Sequence, residues 1–109
     1  MIDVDTLPAC PVETTLTLIS DKWKILIVRD LLTGTKRFSE LRRSIGHISQ
    51  KVLTSNLRQM EADGLVHREV YPEVLPRVEY SLTDTGHSLK TVIDALWNWG
   101  EDYKAKLAA

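Results

Sequence analysis

Between Ile48 and Gly64 the apolar residues Leu53, Leu57 and Met60 recur at i, i+4, i+7, the spacing of one helical face. Lys51, Thr54, Ser55 and Arg58 recur at i, i+3, i+4, i+7 on the opposite side. The stretch predicts one amphipathic helix. Ser49 is placed to cap its start, because a hydroxyl there accepts from an orphaned backbone N–H. Gly64 is placed to end it, free to take the left-handed conformation.

The same reading predicts three helices upstream. The first covers about 11–20, with Pro11 in its first turn, Cys10 at or next to the N-cap, and Val12, Leu16 and Ile19 on one side. Its threonines, Thr14, Thr15 and Thr17, are poor helix formers, so packing must hold it. The second follows the N-cap Asp21 and runs from Lys22 to Leu32, closed by Gly34. Trp23, Ile25, Leu26, Ile27, Val28 and Leu31 make it apolar most of the way round, which places it at the centre of a domain. Thr35, Lys36 and Arg37 read as a connector or a short strand. The third helix runs from about Ser39 to Ile45, with Phe38 anchoring its start and Gly46 ending it. Two helices joined by a short glycine-containing turn make a helix-turn-helix over about 38–64.

After Gly64 the period changes. Val66–Tyr71 and Val78–Leu82 alternate and are rich in β-branched and aromatic residues, flanking a loop stiffened by Pro72 and Pro76. They predict a hairpin wing over about 66–82, with Arg77 at its base or tip. A last helix, capped by Thr83 or Asp84, is expected over about 84–106. Along it Leu89, Ile93, Leu96, Gly100, Tyr103 and Leu107 step by 4, 3, 4, 3, 4, widened by Val92, Trp97 and Trp99. That arc spans roughly 200°, more than one domain surface needs. The excess predicts a second subunit, and Gly100 would let another helix approach closely. Leu16, Ile19, Val92, Leu96, Trp97, Trp99, Gly100 and Tyr103 are the expected interface. The fold class is therefore mainly α with a small antiparallel β-hairpin: one winged helix-turn-helix domain over residues 1–109, with added N- and C-terminal dimerisation helices.

Composition narrows the setting. At 109 residues the chain is one small domain, and 43% hydrophobic content can build a core. No apolar run reaches the roughly 18 residues of a bilayer span. Met1–Pro8 carries two aspartates and no basic region, unlike a signal peptide. One cysteine permits no internal disulfide. A cytoplasmic protein is expected. Net charge is −1, but Lys22–Met60 holds nine cations against two anions, and the remainder five against thirteen. A basic middle between acidic flanks suits a phosphate-binding face.

The outward face of the Ile48–Gly64 helix has no carboxylate before Glu61. Small hydroxyls allow close approach to a surface, and cations meet phosphates or guanine edges. A solvated helix face would show a similar arc; the winged-helix context and the charge distribution favour duplex DNA. The expected contact set is Ser49, Gln50, Lys51, Thr54, Ser55 and Arg58, with Gln50 suited to adenine. Lys36, Arg42 and Arg43 would grip phosphate. Arg77, and with it Arg68, would reach from the wing. His47, His67 and His87 stand twenty residues apart, which is not metal-ligand spacing. No cofactor or metal is expected, and no nucleophile, paired-carboxylate or phosphate-loop motif suggests an enzyme. Two other readings stay open: a winged-helix protein-interaction module, and a regulator with an effector seated at the dimer interface near Trp23 and Trp97.

Taken together, the motifs resemble the HxlR-type winged helix-turn-helix regulators of bacteria. The resemblance runs from Cys10-Pro11 through Asp21-Lys22-Trp23, Arg37-Phe38, Glu40-Leu41, Ile48-Ser49-Gln50-Lys51 and Glu61-Ala62-Asp63-Gly64-Leu65. It continues through Val78-Glu79-Tyr80-Ser81-Leu82-Thr83 to the tryptophan near the end. One departure is Asp21, where the family often has glycine. The resemblance implies a homodimer joined through the first and last helices, a partly palindromic operator, and promoter control. Cys10 sits at a helix start, where the helix dipole favours a thiolate. The resemblance also implies a sensor cysteine at this position, taking an oxidant, an electrophile or a small-thiol adduct. A cysteine packed at the interface would be inert.

Overall fold

The computed structural model describes residues 2–109. After a 3₁₀ turn at Val4–Thr6 come α1 (Pro11–Leu18), α2 (Lys22–Leu31), β1 (Lys36–Arg37), α3 (Phe38–Ile45) and α4 (Gln50–Ala62). β2 (Val66–Tyr71) and β3 (Arg77–Leu82) form the wing, followed by α5 (Asp84–Ser88) and α6 (Lys90–Ala108). The sheet is antiparallel with order β1-β3-β2, so the connector before α3 is a third strand beside the hairpin.

Local chemistry accounts for the ends. Asp21 accepts from the backbone N–H groups of Trp23 and Lys24, and Ser49 from that of Val52. Arg37 N–H donates to Glu40 at the start of α3. Gly46 and Gly64 take φ of +96° and +77°, where a side chain would be strained. The threonine hydroxyls of α1 donate back to carbonyls of its own preceding turn, including Pro11 and Glu13. α1 stops at Leu18 instead of continuing to Ser20, because Asp21 must be extended to cap α2.

The core joins Ile27, Val28 and Leu31 of α2 to Leu41, Ile48, Leu53, Leu57 and Met60 of the helix-turn-helix. Leu65, Val66, Leu82 and Leu89 close it from the wing side. Lys24 lies inside as well, 5% exposed, its ammonium donating to the Ser20 hydroxyl at 3.4 Å. It therefore adds nothing to the basic surface that the sequence count suggested.

The last helix is not continuous from 84 to 106. It breaks at Leu89, which is buried and whose N–H reaches back to the Gly86 carbonyl. Gly86 is pressed against the Leu65 backbone, where a Cβ would overlap the Leu65 carbonyl oxygen. Thr83 braces the same corner, donating to the Gly64 carbonyl and accepting from Gly86 N–H. Leu89, with φ −71° and ψ −5°, is the joint between α5 and α6. No residue of α6 is fully buried.

Candidate nucleic-acid interface

α4 turns Leu53, Asn56, Leu57 and Met60 inward. That commits the other side to solvent. Gln50, Lys51, Thr54, Ser55, Arg58 and Gln59 line one open groove along it. None is a carboxylate, and none of the three charged or amide ends at Lys51, Arg58 and Gln50 is held by a hydrogen bond within the protein's described residues. Gln59 was not anticipated. It stands four residues after Ser55 and donates to its hydroxyl at 3.4 Å, so helical spacing alone places it on this face.

A second hollow continues the groove beyond the start of α4. It is lined by Phe38, Ser39, Arg42, Arg43, Gly46 and Gln50, with Gln50 shared between the two. Arg42 Nε also donates to the Ile48 carbonyl at 3.2 Å, tying α3 to the turn that precedes α4. Ser49 is occupied in capping, with its oxygen accepting from Val52 N–H at 3.1 Å. Lys36 lies one element away on β1. The fold thus brings Arg42, Arg43 and the α4 set onto one surface.

Arg77 is differently placed. It begins β3 at the loop end of the wing, opposite Tyr71, and its guanidinium lies 4.1 Å from the centre of the Tyr71 ring. It also meets Glu73 at 3.4 Å and Glu79 at 3.5 Å. Its charge is already answered by two carboxylates and an aromatic face. Arg68, by contrast, points toward α4 and pairs with Glu61 at 3.3 Å.

A winged helix-turn-helix is the arrangement on which the comparisons with known proteins converge. The HxlR-like helix-turn-helix family matches residues 18–108. The chain belongs to this family. It is a transcriptional regulator of the helix-turn-helix type. The uncharacterised regulator YdeP of Bacillus subtilis is 48% identical over 103 residues, 94% of this chain and 80% of that protein. The crystal structure of a regulator named ytcD superposes with a TM-score of 0.84 at 46% identity, covering 88% of this chain and 98% of that one. The oxidised form of the redox regulator HypR superposes with a TM-score of 0.80 at 49% identity, covering 85% and 96%.

In this HxlR-like regulator the expected subunit contacts divide in two. Ile19 and Val92 pack partly against the protomer's own core. Leu16, Leu96, Trp97 and Trp99 stand more than half exposed and Tyr103 just under half, with Trp99 and Tyr103 stacked 5.2 Å apart. Gly100 has open space where a Cβ would be. Cys10 is the N-cap residue of α1, exposed, and its side chain makes no capping bond. Trp97 lines a small cleft between α2 and α6 with Ile25, Leu26, Arg29, Ile93 and Leu96. Trp23 lies outside that lining. Among the described residues no group of three His, Cys, Asp or Glu is arranged to hold a metal, and no helix is long and apolar enough to cross a membrane.

Proposed function

We propose that this regulator binds a partly palindromic operator in the cytoplasm as a homodimer, with one α4 in the major groove of each half-site. The observation that carries the reading is the outer groove of α4 from Gln50 to Gln59, which holds no carboxylate before Glu61 and is continuous with the Arg42–Arg43 hollow. Thr54 and Ser55 let the helix approach closely. Gln50 suits adenine, and Lys51 or Arg58 suits guanine or phosphate. Lys36, Arg42 and Arg43 serve the backbone, which sets register without reading sequence. Exposed apolar residues on α1 and α6 supply the dimer contact, and half-sites should lie about 34 Å apart or a multiple of that.

Selecting bound fragments from a genomic library at about 150 mM salt, where non-specific phosphate binding is weakened, tests this directly. The expected product is one or a few promoter regions sharing an inverted repeat. On that DNA, Arg58→Ala should bind about ten- to a hundredfold more weakly while unfolding at the wild-type temperature. Uniform recovery of all DNA, or of none, would move the reading to a protein-interaction module.

Cys10 supports a second, compatible role in sensing. Its thiol is exposed at a helix start, and a structural relative at 49% identity is named as a redox regulator. With one cysteine per chain, oxidation can yield an intersubunit disulfide or a mixed disulfide with a small thiol, and an electrophile can alkylate it. Cys10→Ser should keep operator affinity within about twofold, since it is a surface change. It should also lose any release of DNA caused by diamide or a quinone. Equal release from both proteins would remove Cys10 from the mechanism.

A further inference from the structure

The wing has two chemically different faces, set by strand register. Lys36 of β1 pairs with Tyr80 of β3, and Tyr80 pairs with Arg68 of β2. Directly opposed residues share a face, so Lys36, Tyr80 and Arg68 form one row across the sheet. Behind this row lies the buried Val66–Leu82 pair, and toward the loop lies Val70–Val78. This face carries two cations and no carboxylate. The other face sets Arg37, Glu79 and Glu69 in one row and Tyr71 with Arg77 in another. Glu79 stands directly opposite Glu69, a repulsive pair. His67 answers Glu69, and Arg77 is shared between Glu79 and Glu73 of the loop. By its charge the first face suits a phosphate chain better than the second.

The first face meets α4 in a cleft of about 220 Å³ lined by Thr54, Leu57, Arg58, Glu61, Arg68 and Tyr80. The Arg68–Glu61 pair that crosses it is substantially exposed, 45% and 38%. Such pairs contribute little and exchange readily. Tyr80 is half-buried at the floor. Burial pushes its hydroxyl above the ordinary value of 10.0; Arg68 opposes that rise, Glu61 adds to it and Arg58 opposes it. At neutral pH the hydroxyl is protonated and can donate. The cleft lies between α4 and the wing, where a DNA strand flanking a major groove filled by α4 would run.

We propose that the cleft between α4 and the wing holds one backbone phosphate of the bound DNA in each half-site. Arg68 leaves Glu61 for a phosphate oxygen, and the Tyr80 hydroxyl donates to the same phosphate. The inference rests on the DNA-binding reading above. It assigns the wing's contact to Arg68 and Tyr80, with Arg77 holding the wing's own carboxylates.

The test compares wild type, Arg68→Gln, Tyr80→Phe and Arg77→Gln on the selected operator and on random duplex of equal length. Arg68→Gln should weaken binding to both about equally, and should reduce the log-affinity against log-salt slope by about 0.9 per half-site. Tyr80→Phe should lose about tenfold by removing one hydrogen bond to a charged group. Arg77→Gln should keep the wild-type slope. In an operator scanned with neutral methylphosphonates, one position per half-site should cost the wild type affinity and cost Arg68→Gln markedly less, with only the Tyr80 contact left to lose. Unfolding midpoints, together with the retained ring of Tyr80→Phe, separate lost contact from lost fold. If Arg68→Gln and Tyr80→Phe match wild type while wild type binds its operator, the proposal falls and the DNA-binding reading stands. If inorganic phosphate at constant ionic strength saturates the Tyr80 ring signals while both variants keep DNA affinity, the cleft is a free-anion site and the proposal falls. A wild type that captures no DNA overturns both.

Discussion

Trp99→Glu should leave the protomer folded and lower operator affinity by about two to four orders of magnitude, the gain that linking two half-site binders provides. Trp99 is 68% exposed and touches Tyr103 on its own helix, not the core. Its substitution therefore removes no internal packing from the wing or α4. It does place a carboxylate on the side of α6 that carries Leu96 and Leu107, both more than half exposed. An unpaired charge buried between two such faces is strongly unfavourable. Sedimentation should show wild-type dimer and variant monomer at the same concentration. Circular dichroism should show equal helix content. A variant that stays dimeric and keeps operator affinity would place the subunit contact elsewhere.

Gly86→Ala should destabilise the fold by about 3 kcal/mol, at the upper end of the usual overpacking range. That is a large part of the roughly 5–15 kcal/mol that holds a domain together. The sign is informative. Judged on helix propensity alone, glycine to alanine in α5 would stabilise by up to about 1 kcal/mol. The structure predicts the reverse, because the new methyl would overlap the Leu65 carbonyl oxygen and crowd Leu82. Neither can retreat easily: Leu65 is fully buried, and its carbonyl accepts from Thr83 N–H. Thermal unfolding should shift down by roughly 10 °C or more. An unchanged or raised midpoint would show that the α5–Leu65 approach is looser than described.

The helix-turn-helix was legible because its signals are local. Ser49 and Asp21 cap where their side chains allow, and Gly46 and Gly64 stop helices at positive φ. Leu53, Leu57 and Met60 face the core because helical period leaves them no other side. The same period located the outward set on α4 and added Gln59 once the groove was visible. The break at Leu89 was not legible, because a continuous apolar stripe crosses it. Beside the break Gly86 lies against Leu65, more than twenty positions earlier, a contact no local pattern reveals.

The sequence by itself determined the helix-turn-helix, the two wing strands and the caps that start α2 and α4, and that a basic middle lies between acidic flanks. These follow from backbone sterics, capping and periodicity, each acting over a few residues. Only the tertiary structure decided which charges reach the surface and which are spent. Lys24 is buried against the core, and Arg68 is turned toward Glu61 of α4. It also decided that Lys36, Tyr80 and Arg68 share one row. Those outcomes depend on strand register and on how helices seat against the sheet. Both are set by packing between residues far apart in the chain, which no local pattern encodes.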